Sequence, residues 1–170
     1  MVCEAISFML EKWDAYDKNF NIINNVILIR GHKIPQDVYH LVSEIVVKHP
    51  DGTYLLMQRD YCKHLGGMWE LTAGGSALQG EKPLECAIRE LKEETGIVTT
   101  DLIEIDRIVH EKHQSLYVEF LCIVDCNKDE IKLQKGETIS YKWVTRKEIL
   151  NMQEEIASSR TLSMLIDQKF

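Results

Sequence analysis

Apolar positions along this chain follow two periods, and the elements come out in blocks. From Tyr39 to Val47 the run is rich in β-branched residues, at Val42 and at 45–47, which predicts a strand. His49-Pro50-Asp51-Gly52 reverses the chain and Tyr54 to Arg59 returns, so the two runs read as a hairpin. Asp60 to Gly67 is polar and ends in glycine, hence a loop, and Met68 to Thr72 is a short strand. Further strand-like runs are Leu102 to His110, Ser115 to Val124 and Ile139 to Val144. Upstream, MVCEAISFMLEKW allows a short helix, with Ala5, Phe8, Met9 and Lys12 at helical spacing. WDAYDKNFNIIN reads as two short strands around a Lys18-Asn19 turn, and Gly31 to Asp37 is a loop containing Pro35.

The helical period appears between Pro83 and Gly96. Pro83 suits the first turn, where its missing N–H costs nothing, and Gly96 suits the position that ends a helix. Leu84, Ala87, Ile88 and Leu91 recur at three- and four-residue spacing as one apolar stripe. Thr145-Arg146-Lys147-Glu148 is a capping-box signature opening a second helix. Ser159 to Gln168, with Leu162, Leu165 and Ile166 on one side, is a third. Strands on both sides of a central helix, with helices at the end, imply an α/β fold: a mixed β-sheet covered on both faces.

Charge changes the picture of the central helix. At 100° per residue Glu90, Glu93 and Glu94 share a stripe beside the apolar one, and Glu85, Arg89 and Glu93 form a ladder of alternating sign. A solvated face explains this cluster badly. Each like-charged pair at three or four residues costs roughly 0.2–0.5 kcal/mol. Acids in the last turn oppose the helix dipole by roughly 0.3–1 kcal/mol apiece. Clustered carboxylates suit a hard divalent cation, which removes both penalties.

These residues sit in a longer pattern. Gly75 is followed after five residues by Glu81, and seven further on comes Arg89-Glu90-Leu91-Lys92-Glu93-Glu94-Thr95-Gly96-Ile97. The stretch 74–97 fills every fixed position of the Nudix box, so the chain resembles the Nudix (MutT-like) hydrolases. That resemblance implies an α/β/α sandwich with a mixed β-sheet. It implies hydrolysis of a nucleoside diphosphate linked to another moiety, with Mg2+ or alternatively Mn2+ as cofactor. Carried over by position, Glu90, Glu93 and Glu94 are expected metal ligands, the Gly75 carbonyl a further contact, and Glu81 a support or fifth member. Arg89 is expected to orient the acids. The general base is open among Glu93, Glu90, Glu137 and Glu119, the last read as an edge or solvent-facing strand position. Arg59, Lys63 and Trp69, ahead of the box, are candidates for substrate contact, with a plain core role for Trp69 as the alternative.

Outside the box, Trp13-Asp14-x-Tyr16-Asp17, Tyr39-His40-Leu41-Val42 and Gly67-Met68-Trp69-Glu70 resemble a subgroup similar to isopentenyl-diphosphate isomerase. An isomerase is therefore one competing expectation and a non-catalytic nucleotide-binding module another. Leu71 to Ala77 holds no Cys, His or Pro where the isomerase resemblance requires a cysteine acid/base. The box retains all its acids, which favours turnover over binding alone.

Composition narrows the setting. The 170 residues are read as a single domain, 1–170, with 1–37 as an N-terminal strand and loop extension. A formal charge of −7 without a Lys/Arg block argues against binding a nucleic acid polymer. No apolar run reaches a membrane span, no basic leader precedes one, and the five cysteines form no C-x-x-C pair. The expectation is a cytoplasmic protein acting on a small nucleotide derivative, without a membrane partner; a homodimer is left open.

Overall fold

The computed structural model describes residues 10–170. In chain order it contains β1 (Lys12–Tyr16), β2 (Ile22–Ile29), β3 (His40–Lys48), β4 (Thr53–Arg59), β5 (Trp69–Glu70) and β6 (Thr72–Ser76). Then follow α1 (Pro83–Thr95), β7 (Leu102–His110), β8 (Ser115–Ile123), β9 (Thr138–Thr145), α2 (Arg146–Asn151) and α3 (Ser159–Ile166). The expected helix over 1–13 lies mostly outside the described residues, and its end is instead strand: Lys12 and Trp13 open β1.

Strands β1 and β2 form a separate antiparallel hairpin. Its turn is set by Asp17, whose carboxylate accepts the Asn19 and Asn21 N–H groups at 2.8 and 3.0 Å. The hairpin docks through the very residues noted for their isomerase-like pattern. Trp13 stacks on His40 with ring centroids 4.4 Å apart, and Tyr16 exchanges backbone hydrogen bonds with Tyr39.

In the main sheet β3 is central, antiparallel to β6 on one side and parallel to β8 on the other, with β7 outside β8. Strand β4 pairs with β9 and β5. The turn at residues 49–52 is where the sequence places it, but β3 and β4 pair only at Lys48 and Tyr54. The expected hairpin opens at once. Both strands are apolar on both faces, so each gains more by moving into the sheet interior than by staying beside its sequence neighbour.

Alternation along β3 and β8 divides the core in two. Leu41, Ile45, Leu116, Val118 and Phe120 face α1, packing on Cys86, Ala87 and Leu91. Val46, Leu56 and Leu71 face the other way, onto Ile149 and Leu165 of the C-terminal helices. The result is the α/β/α sandwich with a mixed sheet.

Helix α1 starts at Pro83 and ends at Gly96, whose left-handed φ of 78° only glycine adopts without strain. Its buried stripe is rotated from the expected one. Leu84 is exposed and Ile88 half-buried, while Cys86, Ala87, Leu91 and Glu94 turn inward. Glu85 does not join the ladder with Arg89, because its carboxylate caps the helix by accepting the Lys82 N–H at 2.8 Å. The Thr145–Glu148 capping box forms as expected. In α3 the buried residues are Thr161, Met164 and Leu165, and Ile166 is exposed, so that stripe too is shifted.

Candidate active site

Two glycines bring β6 close to its neighbours. A Cβ on Gly74 would fall 2.2 Å from the Ser43 carbonyl oxygen, and one on Gly75 would fall 2.4 Å from Glu90 Oε1. Bare backbone here lets the acidic edge of α1 lie against the strand. Glu94, one helical turn on, reaches the same strand and accepts the Gly74 N–H at 3.1 Å. It is only 8% exposed, which makes it a buried acid rather than a surface one.

Arg89 braces this edge. Its Nε and Nη2 each donate to one oxygen of Glu81 at 2.8 Å, while Nη1 donates to Glu90 at 2.6 Å and Glu93 at 3.2 Å. Glu81 also accepts the Leu78 N–H at 2.9 Å, tying the loop before α1 to the helix. Burial works to raise the Glu81 carboxyl, yet the Arg89 and Leu78 hydrogen bonds hold it below the usual range. The other two acids go the opposite way. Burial raises Glu90 despite Arg89, and burial followed by the charge of Glu90 pushes Glu94 up to about 8.

This donor set fits a divalent cation. A buried carboxyl whose only hydrogen-bond donor among the described residues is one backbone N–H leaves its charge uncompensated, as a hard cation would require. Glu90, Glu93 and Glu94, with the Gly75 carbonyl, are the oxygens that would hold it. As the side chains stand, no three His, Cys, Asp or Glu among the described residues are gathered closely enough to hold a metal ion, so the acids would have to turn toward it. Nη1 of Arg89 bridges Glu90 and Glu93, supplying part of the counter-charge and turning those carboxylates toward itself.

Beside these acids opens a cleft of about 350 Å³. Lys63 and Glu137, both singled out from the sequence, line it and are ion-paired with each other. Other residues on its wall escaped sequence reasoning, among them Glu11 and Arg30, which flank the hairpin, and Gln134 before β9. The second short strand read from WDAYDKNFNIIN stops at Asn24, whereas β2 runs on to Ile29, and nothing in the sequence says what the strand's end will face.

The remaining candidates lie elsewhere. Glu119 is not at an edge: β8 is paired on both sides, and the side chain is fully buried. Since Val118 and Phe120 face α1, Glu119 faces away from it, ion-paired at 2.9 Å to Arg160 of α3, which also holds Glu44. Arg59 pairs with Glu70 and lines a second cavity, on that opposite face, with Tyr117 and Arg160. Trp69 is half-buried against the Leu71 and Ile149 cluster, with the Lys142 ammonium 4.0 Å from its ring centroid. The core alternative for Trp69 is what the packing supports.

The structure is a two-sided sandwich in which an acidic helix edge is laid on a glycine strand beside an open cleft. The chain belongs to the NUDIX domain family, whose model matches residues 38–164. It is 28% identical to a Nudix hydrolase of Listeria monocytogenes, over 82% of this chain and 83% of that protein. It is also 28% identical to the 8-oxo-dGTP diphosphatase of Proteus vulgaris, over 57% of this chain and 85% of that one. In fold it is similar to the crystal structure of DR0079 from Deinococcus radiodurans, with a TM-score of 0.75 at 14% identity, covering 92% of this chain and 98% of that. The chain is thus an enzyme of the Nudix pyrophosphohydrolase class, in which dependence on a divalent metal is general. No helix among the described residues is long and apolar enough to cross a membrane.

Proposed function

We propose that this chain hydrolyses a diphosphate bond in a nucleoside diphosphate linked to another moiety, using Mg2+ or Mn2+ held by Glu90, Glu93, Glu94 and the Gly75 carbonyl. The observation that carries this reading is Glu94: a buried acid aimed at β6 beside Glu90, in the last turn of a helix whose dipole disfavours it. When bound, the cation neutralises charge on the phosphate oxygens and lowers the pKa of a coordinated water. Arg89, clamped by Glu81, orients Glu90 and Glu93. Lys63 offers an ammonium to the phosphates, and in doing so releases Glu137 into the cleft as the group best placed to take a proton from water. Glu119 is screened from this cleft by its own sheet.

The similarity to a relative named for nucleoside triphosphate cleavage supports a nucleotide as the substrate class. An isomerase of the isopentenyl-diphosphate type is disfavoured by chemistry. Among the described residues Cys86 touches the glycine strand, its Sγ 3.5 Å from the Gly75 carbonyl oxygen, but it is buried, and burial pushes its thiol up to about 12, far from the range suited to acid–base work near neutrality. Phosphorus NMR with Mg2+ or Mn2+ across nucleoside triphosphates, nucleotide sugars and dinucleotides is expected to show anhydride cleavage of at least one compound. Proton NMR with isopentenyl diphosphate is expected to show no dimethylallyl product. Isomerisation without cleavage anywhere in the panel would overturn the proposal, and binding of a nucleotide without turnover would favour a non-catalytic module.

A further inference from the structure

We infer that Arg30, delivered by the β1–β2 hairpin and held by Glu11, is a substrate-reading residue that grips a phosphate of the diphosphate group on the side the box acids do not hold. The inference rests on the hydrolase reading above and adds to it a recognition element that lies outside the box.

Three cations line the cleft wall: Arg30, Lys63 and Arg89. Arg89 is committed to Glu81, Glu90, Glu93 and the Ser76 carbonyl. Lys63 is paired with Glu137 and is already assigned to the phosphates in the hydrolase reading. Among the described residues Arg30 makes a single ion pair, from Nη1 to Glu11 Oε2 at 2.8 Å, and its side chain is 55% exposed. A guanidinium fixed through one nitrogen still presents the rest of its planar fork, which matches two oxygens of a phosphate.

Its position is built rather than incidental. Glu11 is held twice, accepting from Arg30 at Oε2 and from the Trp13 indole at Oε1, 2.8 Å away. The Arg30 N–H also donates to the Glu11 carbonyl at 2.9 Å. Trp13 in turn stacks on His40, whose Nε2 lies 2.8 Å from Ser115 Oγ. The hairpin is fastened to the box itself: the Gln79 N–H donates to the Lys12 carbonyl at 2.8 Å, and the Gly80 N–H to Asp14 Oδ2 at 2.7 Å. So the loop that leads into α1 and the segment that carries Arg30 are tied to each other. Burial works to raise the Glu11 carboxyl, but Trp13, Arg30 and the positive charge of Arg89 bring it below the usual range, so the holding charge persists through neutral pH.

The competing role is a brace that merely closes the open end of the hairpin. Steady-state kinetics on whichever panel compound the wild type hydrolyses separates the two, with Arg30→Ala, Arg30→Lys and Glu11→Gln beside Lys147→Ala, an exposed site on α2, as the control. Reading of substrate predicts that Arg30→Ala raises KM by about 10-fold with kcat within about twofold, that Arg30→Lys recovers part of the loss, and that thermal midpoints stay close to wild type. Glu11→Gln should raise KM by less. Unchanged KM in Arg30→Ala, with wild-type turnover intact, overturns the inference and leaves the hydrolase reading standing. Loss of kcat together with a lowered thermal midpoint shows a brace and also overturns it. A wild type inert on the whole panel removes both.

Discussion

The two glycines of β6 look alike in sequence and differ in what a methyl group would meet. At Gly74 the obstacle is the Ser43 carbonyl in the neighbouring strand, which cannot retreat without breaking the β3–β6 ladder. Gly74→Ala should therefore destabilise the fold, by about 1–3 kcal/mol as overpacking commonly does, read as a lower urea midpoint. At Gly75 the obstacle is the carboxylate of Glu90, the mobile end of a side chain. Gly75→Ala should leave the urea midpoint nearly unchanged while turnover falls, because Glu90 is displaced from its place beside the backbone. Glu93→Gln and Glu94→Gln should stay folded and lose roughly 100-fold or more of metal-dependent turnover, as expected when an anionic ligand to a catalytic cation becomes neutral. Full activity in both would sink the metal assignment. The site acids of α1 were legible because a helix fixes their relative placement locally. Arg30 and the burial of Glu119 were not, because each depends on which distant strand lies alongside.

At the scale of elements, the hairpin's attachment makes stability sensitive to acid. His40 lies between Trp13 and two serines, and burial lowers its imidazole to about 4, with Glu11 pulling weakly the other way. The folded pKa lies below the unfolded value of about 6.5, so the unfolded chain binds more protons between the two. The contribution is whole above pH 6.5 and is lost as pH falls toward 4, by up to about 1.4 kcal/mol per pH unit. Denaturant midpoints measured from pH 7 to 4.5 should fall less steeply in His40→Asn than in wild type. Parallel curves would mean the imidazole is not what titrates. Elements with a strong local period, such as β7, β8 and the capped α2, were where the sequence put them. The β3–β4 pairing was not, since a turn signal fixes where the chain reverses and leaves open whether its arms stay together.

For the whole molecule, a cation bound only by the folded state shifts the unfolding equilibrium. Millimolar Mg2+ or Mn2+ should raise the thermal midpoint of the wild type, and the rise should vanish in the Glu93→Gln/Glu94→Gln double variant. An equal rise in both would place the cation elsewhere. The sheet itself separates the cleft beside α1 from the cavity on its other face. Glu90 and Glu94 work on the α1 side, while Glu44 and Glu119 are spent neutralising Arg160 on the other.

The fastening of Gln79 and Gly80 to β1 reaches beyond this one enzyme. The stretch shared with the family runs over residues 38–164, and the hairpin, from Lys12 to Ile29, lies ahead of it. Chemistry and recognition are then written in separate passages of the same chain, joined by the N–H groups of Gln79 and Gly80 and by the Trp13 and Tyr16 contacts. A graft that exchanges residues 10–37 for a hairpin of different end residue should change which compound is preferred while leaving the bond that is cut the same. Selection could retune such a protein in the same way, editing a detachable preface and leaving the catalytic text untouched.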